Sequence, residues 1–265
     1  MKTYALVAAG LLAGLSLALQ LVNNVIGVPT GWGMTVDLVG VPALIAFFVL
    51  GYNAGLQVLV ASFIGIAFLS PTGVIGAVMK FSATLPMLAV PAFYLAAKRR
   101  KIEPGRLLVL LGLLLAAFIA AFAAFAYLIA YSGEAFGGTV AAGIAPILAF
   151  AGFAYLLLRL WKRYGSEKEL RGVFSWKEAL AILAVAAALR GLLMIAANFY
   201  FAGPLFFRVT PAELATMISA VPVPLLGPSA WYASVFLWNA VQAAAEFGLA
   251  WLIAFRFGFA ERYGA

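Results

Sequence analysis

Asp37, Lys80, Thr84, Asn198, Asn239 and Gln242 are polar side chains set inside sequence that is otherwise hydrocarbon-like, and Arg190 and Glu246 add two charges to them. A charge in a bilayer interior is expensive unless it faces protein, water or a partner charge. These residues therefore mark a place where the chain handles something polar. The chemistry on offer is ionic and hydrogen-bonding recognition. The chain has no cysteine and no histidine, so thiolate or imidazole metal sites and Ser-His-Asp catalysis lack their usual groups. No Gly-x-x-x-x-Gly-Lys-Ser/Thr loop is present to cradle a nucleotide. Asp37 and Glu246 are expected at different depths, which leaves no paired acids for an intramembrane protease. The expectation is a non-enzymatic binding or transport protein with no metal and no bound cofactor.

The composition says what must position these groups. Of 265 residues, 66% are hydrophobic and only 10% charged, and the mean hydropathy is +1.09. Soluble domains are nearer half apolar and a quarter charged, so this is a polytopic, all-α integral membrane protein occupying 1–265 as one domain. Its net charge of +8 is concentrated at Lys98–Lys101, at Arg159, Lys162 and Arg163, and at the C-terminus. That is a topology signal and not a nucleic-acid footprint.

Crossing the hydrocarbon takes roughly 17–25 mainly apolar residues. The sequence predicts eight helical segments, at 4–22, 38–52, 54–69, 78–97, 107–131, 139–161, 178–201 and 230–256. The second and third are short and separated only by Gly51-Tyr52-Asn53, which reads as a tight helical hairpin or as one bent span. With both termini inside, nearly all Lys and Arg fall in cytoplasmic stretches, and only Arg208 falls outside. The N-terminal stretch lacks a small-residue cleavage site and is kept as the first span.

Helix rise converts position to depth. From the cytoplasmic ends, Lys80 and Thr84 lie about 27 and 21 Å up, Asn239 and Gln242 about 25 and 21 Å, and Asn198 about 30 Å. Asp37 opens the second segment at the outer end. The six share one outer-leaflet layer. Lys80 and Thr84 are spaced i, i+4, and Asn239, Gln242 and Glu246 are spaced i, i+3, i+7 on one helix face. Singly, each reads as a snorkelling lysine, a cap or an interhelical hydrogen bond; together they read as a binding site. Arg190, about 18 Å up, and Glu246, about 15 Å up, sit on consecutive antiparallel segments and are expected to pair as its floor. Trp32, Trp231 and Trp238 are available to stack on a ring.

In the first segment Ala5, Ala9 and Ala13 recur at spacing four, with Gly10, Gly14 and Ala18 beside them. Such stripes let another helix approach closely, whether inside this bundle or from a second protein. In the loop 202–229, Thr210-Pro211-Ala212-Glu213 predicts a capped short helix over about 211–220. The surrounding aromatics read as an interfacial belt or as a lid.

The run Asp37-Leu-Val-Gly-Val-Pro42-Ala-Leu-Ile45, the pair Gly51 and Gly55, and Ser70-Pro71-Thr72-Gly73 with Gly76, Ala83 and Thr84 resemble the substrate-binding S components of energy-coupling factor (ECF) vitamin transporters. The likeness is greatest to the riboflavin-type members. It covers about 35–97 and, more faintly, 190–256, through Asn198-Phe-Tyr200, Gly203-Pro-Leu and Trp238-Asn239-Ala-Val-Gln242. The resemblance implies a six-helix core at 1–98 and 176–257, with 107–161 as an inserted helical hairpin, in a multi-pass plasma-membrane protein. It implies capture of riboflavin or a related flavin from outside. It also implies two kinds of partner: a transmembrane T component docked on Ala5, Ala9 and Ala13, and two cytoplasmic ABC-type ATPases. Family members place Asn where this chain has Lys80, and Lys where it has Gln242. The alternatives are another vitamin or small heterocycle, or an autonomous secondary transporter coupled to ions through Glu246 and Arg190.

The topology has a direct check, since single cysteines can be placed at will in a chain without any. An impermeant thiol reagent added outside should label cysteines placed at Glu134 and Arg208 and miss those at Lys101 and Lys168. Outside labelling at 101 overturns the orientation.

Overall fold

The computed structural model describes residues 3–29, 35–100, 175–220 and 229–260. The expected spans 107–131 and 139–161 lie outside the described residues, as does Trp32. What is described is a helical bundle. Five of its helical stretches are long and apolar enough to cross a membrane: Thr3–Ile26, Tyr52–Leu69, Gly73–Leu95, Trp176–Phe207 and Trp231–Arg256.

In chain order the elements are α1 (Thr3–Ile26), a two-residue ribbon β1 (Val28–Pro29) and β2 (Thr35–Val36), α2 (Val41–Leu50), α3 (Tyr52–Leu69) and α4 (Gly73–Arg100). After 101–174 come α5 (Trp176–Ala197), which widens into a π-helical turn over Asn198–Ala202, then α6 (Gly203–Phe207), α7 (Pro211–Ala220) and α8 (Ser229–Trp251), which ends in a second π turn over Leu252–Arg256. The ribbon is antiparallel, with Val28 opposite Val36 and Pro29 opposite Thr35.

Several starts and stops have a local cause. Ser175 and Glu178 form a capping box at the head of α5, and Thr210 and Glu213 exchange the same pair of bonds at the head of α7. This satisfies amide groups that a helix start otherwise leaves unpaired. Gly51 makes the α2–α3 turn alone, at φ +99°, a conformation that side chains oppose. The turn is thus one residue, and Tyr52 already belongs to α3. Helix α4 begins at Gly73 and not at 78, because the Ser70–Thr72 turn closes with the Gly73 amide donating to the Ser70 carbonyl. Residues 73–76 of the glycine-rich stretch 70–76 are therefore helix.

Helix α2 is the unusual element. Its 10 residues reach only about 15 Å, half a bilayer, and eight of them are buried, including Pro42, Leu44, Phe47 and Phe48. It sits inside the bundle against α3, α8 and α1. The chain reaches its first turn at Val41 through non-helical backbone over Asp37–Gly40. Non-helical backbone at that depth is tolerated only where protein or an aqueous cavity surrounds it.

The outer surface is lipid-like. Helix α1 turns Leu6, Leu11 and Leu15 outward and buries Ala5, Ala9, Ala13, Ser16 and Gln20. This corrects the docking expectation. Ala5, Ala9 and Ala13 pack within this chain, where α1 meets α2 and α3; the exposed small residues are Gly10, Gly14 and Ala18. The cause is a third link in the same stripe. The Ser16 hydroxyl donates to the Val39 carbonyl at 2.6 Å, which turns the alanine face toward the uncoiled segment.

The two faces of α1 should respond differently to bulk. Ala9→Trp should lower the yield of folded, monodisperse protein, as overpacking costs about 1–3 kcal/mol. Gly10→Leu should not, since Gly10 is exposed and a Cβ there meets nothing within 4 Å. Size-exclusion profiles and melting midpoints of the two variants decide it, and a well-folded Ala9→Trp protein would return the alanine stripe to an external partner.

Candidate functional site

A cavity of about 270 Å³ opens among α1, α4, α5, the π turn at 198–202 and α8. It lies toward the bundle end where α1 and α3 finish, opposite the end that carries Lys98, Lys177 and Arg256. Its floor is ionic. Arg190 is 1% exposed and Glu246 1% exposed. The Arg190 Nη1 donates to the Glu246 Oε2 at 2.5 Å, and its Nε donates to the Asn239 Oδ1 at 3.3 Å. Glu246 also accepts from the Gln242 Nε2 at 3.2 Å and from the Gly40 amide at 3.3 Å. Breaking one side of such a buried pair leaves an uncompensated charge, which is costlier than losing both.

Gly40 is required for this approach. A Cβ there would lie 2.9 Å from the Glu246 Oε1, closer than the carboxylate can yield while it stays on Arg190. The same carboxylate thus neutralises α5 and caps the entrance to α2.

The wall carries the second ion pair. Lys80 on α4 contacts the Asp37 carboxylate, and the Asp37 Oδ1 accepts from the Val39 amide at 3.0 Å. Asp37 is enclosed, whereas the Lys80 side chain keeps 23% of its surface exposed and lines the cavity. The Gln242 Nε2 donates also to the Asp37 carbonyl at 3.2 Å. The Asn198 Nδ2 donates to the Met194 carbonyl at 2.7 Å, where the helix widens. Single π turns of this kind recur at functional sites.

Of the residues expected to form the site, Lys80, Asn198, Asn239 and Gln242 line this cavity. Asp37 stands behind Lys80. Thr84 does not line it: its side chain faces a separate void of about 10 Å³ beside Ser16, Val39 and Ser62. Trp231 and Trp238 are not in the lining either. Trp231 is buried against Phe199, ring centres 6.3 Å apart, and against Tyr232 at 5.1 Å. Among the described residues, the aromatic that lines the cavity is Phe206. Arg190 forms the floor and is also among the lining residues.

Three further lining residues were not expected: Gln20, Asn23 and Asn24, all on α1. Their spacing of i, i+3, i+4 places them on one helix face, a signal present in the sequence at the end of the first segment. Ser70 and Thr72 close the rim, their hydroxyls 2.8 Å apart.

Comparison with protein-family models, with curated proteins and with solved structures gives no match to this chain.

The ionic floor has a clear thermodynamic signature. Arg190→Met and Glu246→Gln should each destabilise the fold by about 3–5 kcal/mol, and the double variant should recover part of that loss. Melting midpoints in detergent measure it. Additive losses in the double variant would show that the two groups are not coupled.

Proposed function

We propose that this chain is the substrate-binding membrane subunit of an ECF-type vitamin uptake transporter, with riboflavin or a related flavin as ligand. The observation that carries the reading is the polar cavity near one end of an apolar bundle, lined by Lys80, Asn198, Asn239 and Gln242. Small-molecule sites typically hold about 300–1,000 Å³ with a few convergent polar groups, and this cavity, at about 270 Å³, suits a compact ring system. The resemblance of 35–97 to riboflavin-type S components supplies the vitamin class. In this reading the full chain has eight spans with both ends cytoplasmic, in the plasma membrane. Helices α1–α4, α5 and α8 form the six-helix core, and 107–161 is an inserted hairpin. A T component and two ABC-type ATPases drive transport. The T component docks elsewhere than on the buried alanines of α1. A flavin ring would lie against Phe206, with Lys80, Asn239 and Gln242 at its polar edge. The same cavity suits another small vitamin or heterocycle.

Two ion pairs within the bundle, Lys80–Asp37 and Arg190–Glu246, favour a second reading. Charged residues within spans also mark ion or proton pathways, so an autonomous ion-coupled transporter is the competing proposal. Uptake that requires co-expressed ATPase partners supports the first; uptake by the chain alone, abolished by a proton uncoupler, supports the second.

The ligand is tested by titrating purified protein with riboflavin and following quenching of flavin fluorescence. Lys80→Ala and Asn239→Ala should each weaken binding by about 1–3 kcal/mol, the cost of a buried polar partner left unpaired. Absence of binding by riboflavin and by its phosphate removes the flavin assignment.

A further inference from the structure

The α1 residues that line the cavity carry buried acceptor atoms with no donor among the described residues. The Asn24 Nδ2 donates to the Leu69 carbonyl at 3.3 Å. A carbonyl only accepts, so the amide nitrogen of Asn24 must face it and Oδ1 must face Gln20. The Gln20 Nε2 donates to that oxygen at 2.8 Å. This fixes the Gln20 amide, and its Oε1 is left buried with no donor, in a residue only 3% exposed. The neighbouring Asn23 amide pairs through Nδ2 with the Thr35 hydroxyl at 3.1 Å, and its Oδ1 too is buried without a donor. Buried polar atoms are almost always satisfied, and an exception calls for a missing partner.

The charges in the wall point the same way. Lys80 and Arg190 are its cations, and each is already matched by a carboxylate, Asp37 and Glu246. Among the described residues of the wall, no uncommitted positive charge is left for an anion. Lys80, partly exposed, retains N–H groups beyond the one it gives Asp37.

The geometry points to an uncharged ligand that presents N–H or O–H donors to Gln20 and Asn23 and an acceptor to Lys80. That is a neutral heterocycle of the lactam or imide kind, and not a phosphate, a carboxylate or a cation. The inference rests on the reading of the cavity as a binding site, and it assigns to α1 the selection among small heterocycles.

The full chain, purified in detergent, tests it with named probes. These are riboflavin and 3-methylriboflavin, lumazine and 3-methyllumazine, riboflavin 5′-phosphate, biotin and thiamine, each titrated against wild type and Gln20→Met. The N–H parent should bind about tenfold or more tightly than its N-methyl partner, and no charged probe should bind more tightly than a neutral parent. In Gln20→Met the N–H preference should shrink to less than about twofold, because the acceptor that reads it is gone. The unliganded melting midpoint of Gln20→Met should stay level or rise, since the variant removes an orphaned acceptor; a purely structural Gln20 would instead lower it and leave the N–H preference intact. Lumazine selectivity without riboflavin binding removes the flavin and keeps this inference. Riboflavin binding indifferent to N-methylation keeps the vitamin reading and overturns this inference, as does tighter binding of phosphate, biotin or thiamine. Failure of every probe to bind overturns both.

Discussion

The break in the backbone at Asp37–Gly40 is the constraint on which the rest of the structure depends. Four residues outside the helix proper enter the bundle at the depth where α2 begins. Unpaired amides and carbonyls in hydrocarbon cost several kcal/mol each, so each needs a partner: the Leu38 and Gly40 carbonyls find theirs locally, in the Val41 and Leu44 amides, and others are matched by groups brought from other helices. Ser16 from α1 serves the Val39 carbonyl, Gln242 from α8 serves the Asp37 carbonyl, and Glu246 from α8 serves the Gly40 amide. Asp37 itself serves the Val39 amide. Four residues of irregular chain thereby dictate which faces α1 and α8 turn inward.

Those matching groups bring charge with them. A carboxylate under Gly40 requires a cation, and Arg190 from α5 provides it; the carboxylate of Asp37 requires another, and Lys80 from α4 provides that. Helices α4, α5 and α8 are therefore tied to the break by ion pairs in surroundings where isolated charges are poorly tolerated. The polar layer is a consequence of uncoiling α2 at its start. A cavity then forms above it, because side chains that point at a broken backbone cannot also pack as hydrocarbon.

Much of this was legible in the sequence where position along a helix converts simply to depth. Arg190 and Glu246 fall at similar heights on antiparallel neighbours, and the structure places them 2.5 Å apart. The Thr210–Glu213 box is a local pattern and needs no tertiary information. What was not legible depended on rotation about a helix axis. In lipid both faces of α1 are apolar or small, so hydrophobic periodicity does not tell inside from outside, and the alanine stripe passes equally well for a docking face until Ser16 finds Val39. The same ambiguity hid Gln20, Asn23 and Asn24, whose common face has meaning only once α1 is turned toward α4. Trp231 was misplaced for a related reason: depth alone puts it near the ligand layer, but its rotation on α8 points it at Phe199. Thr84 shares a helix face with Lys80, and a single turn suffices to move it from the cavity to the void behind Val39.

The polar residues in this site divide by what they are attached to, and the division decides how far a ligand's effect can travel. Gln20 and Asn23 hold only other side chains of their own neighbourhood. Contacts to them are local. Lys80 and Gln242 hold Asp37, and Asp37 holds the turn that starts α2. A group that competes for the Lys80 ammonium or the Gln242 amide acts on the bonds that keep the broken backbone satisfied, and hence on a helix buried against α1, α3 and α8. On the proposed reading, recognition would fall on α1, where bonds can be exchanged at little structural expense, while the α4 and α8 side couples the cavity to the short buried helix α2. A ligand bound as proposed would be read on one wall and felt on the other.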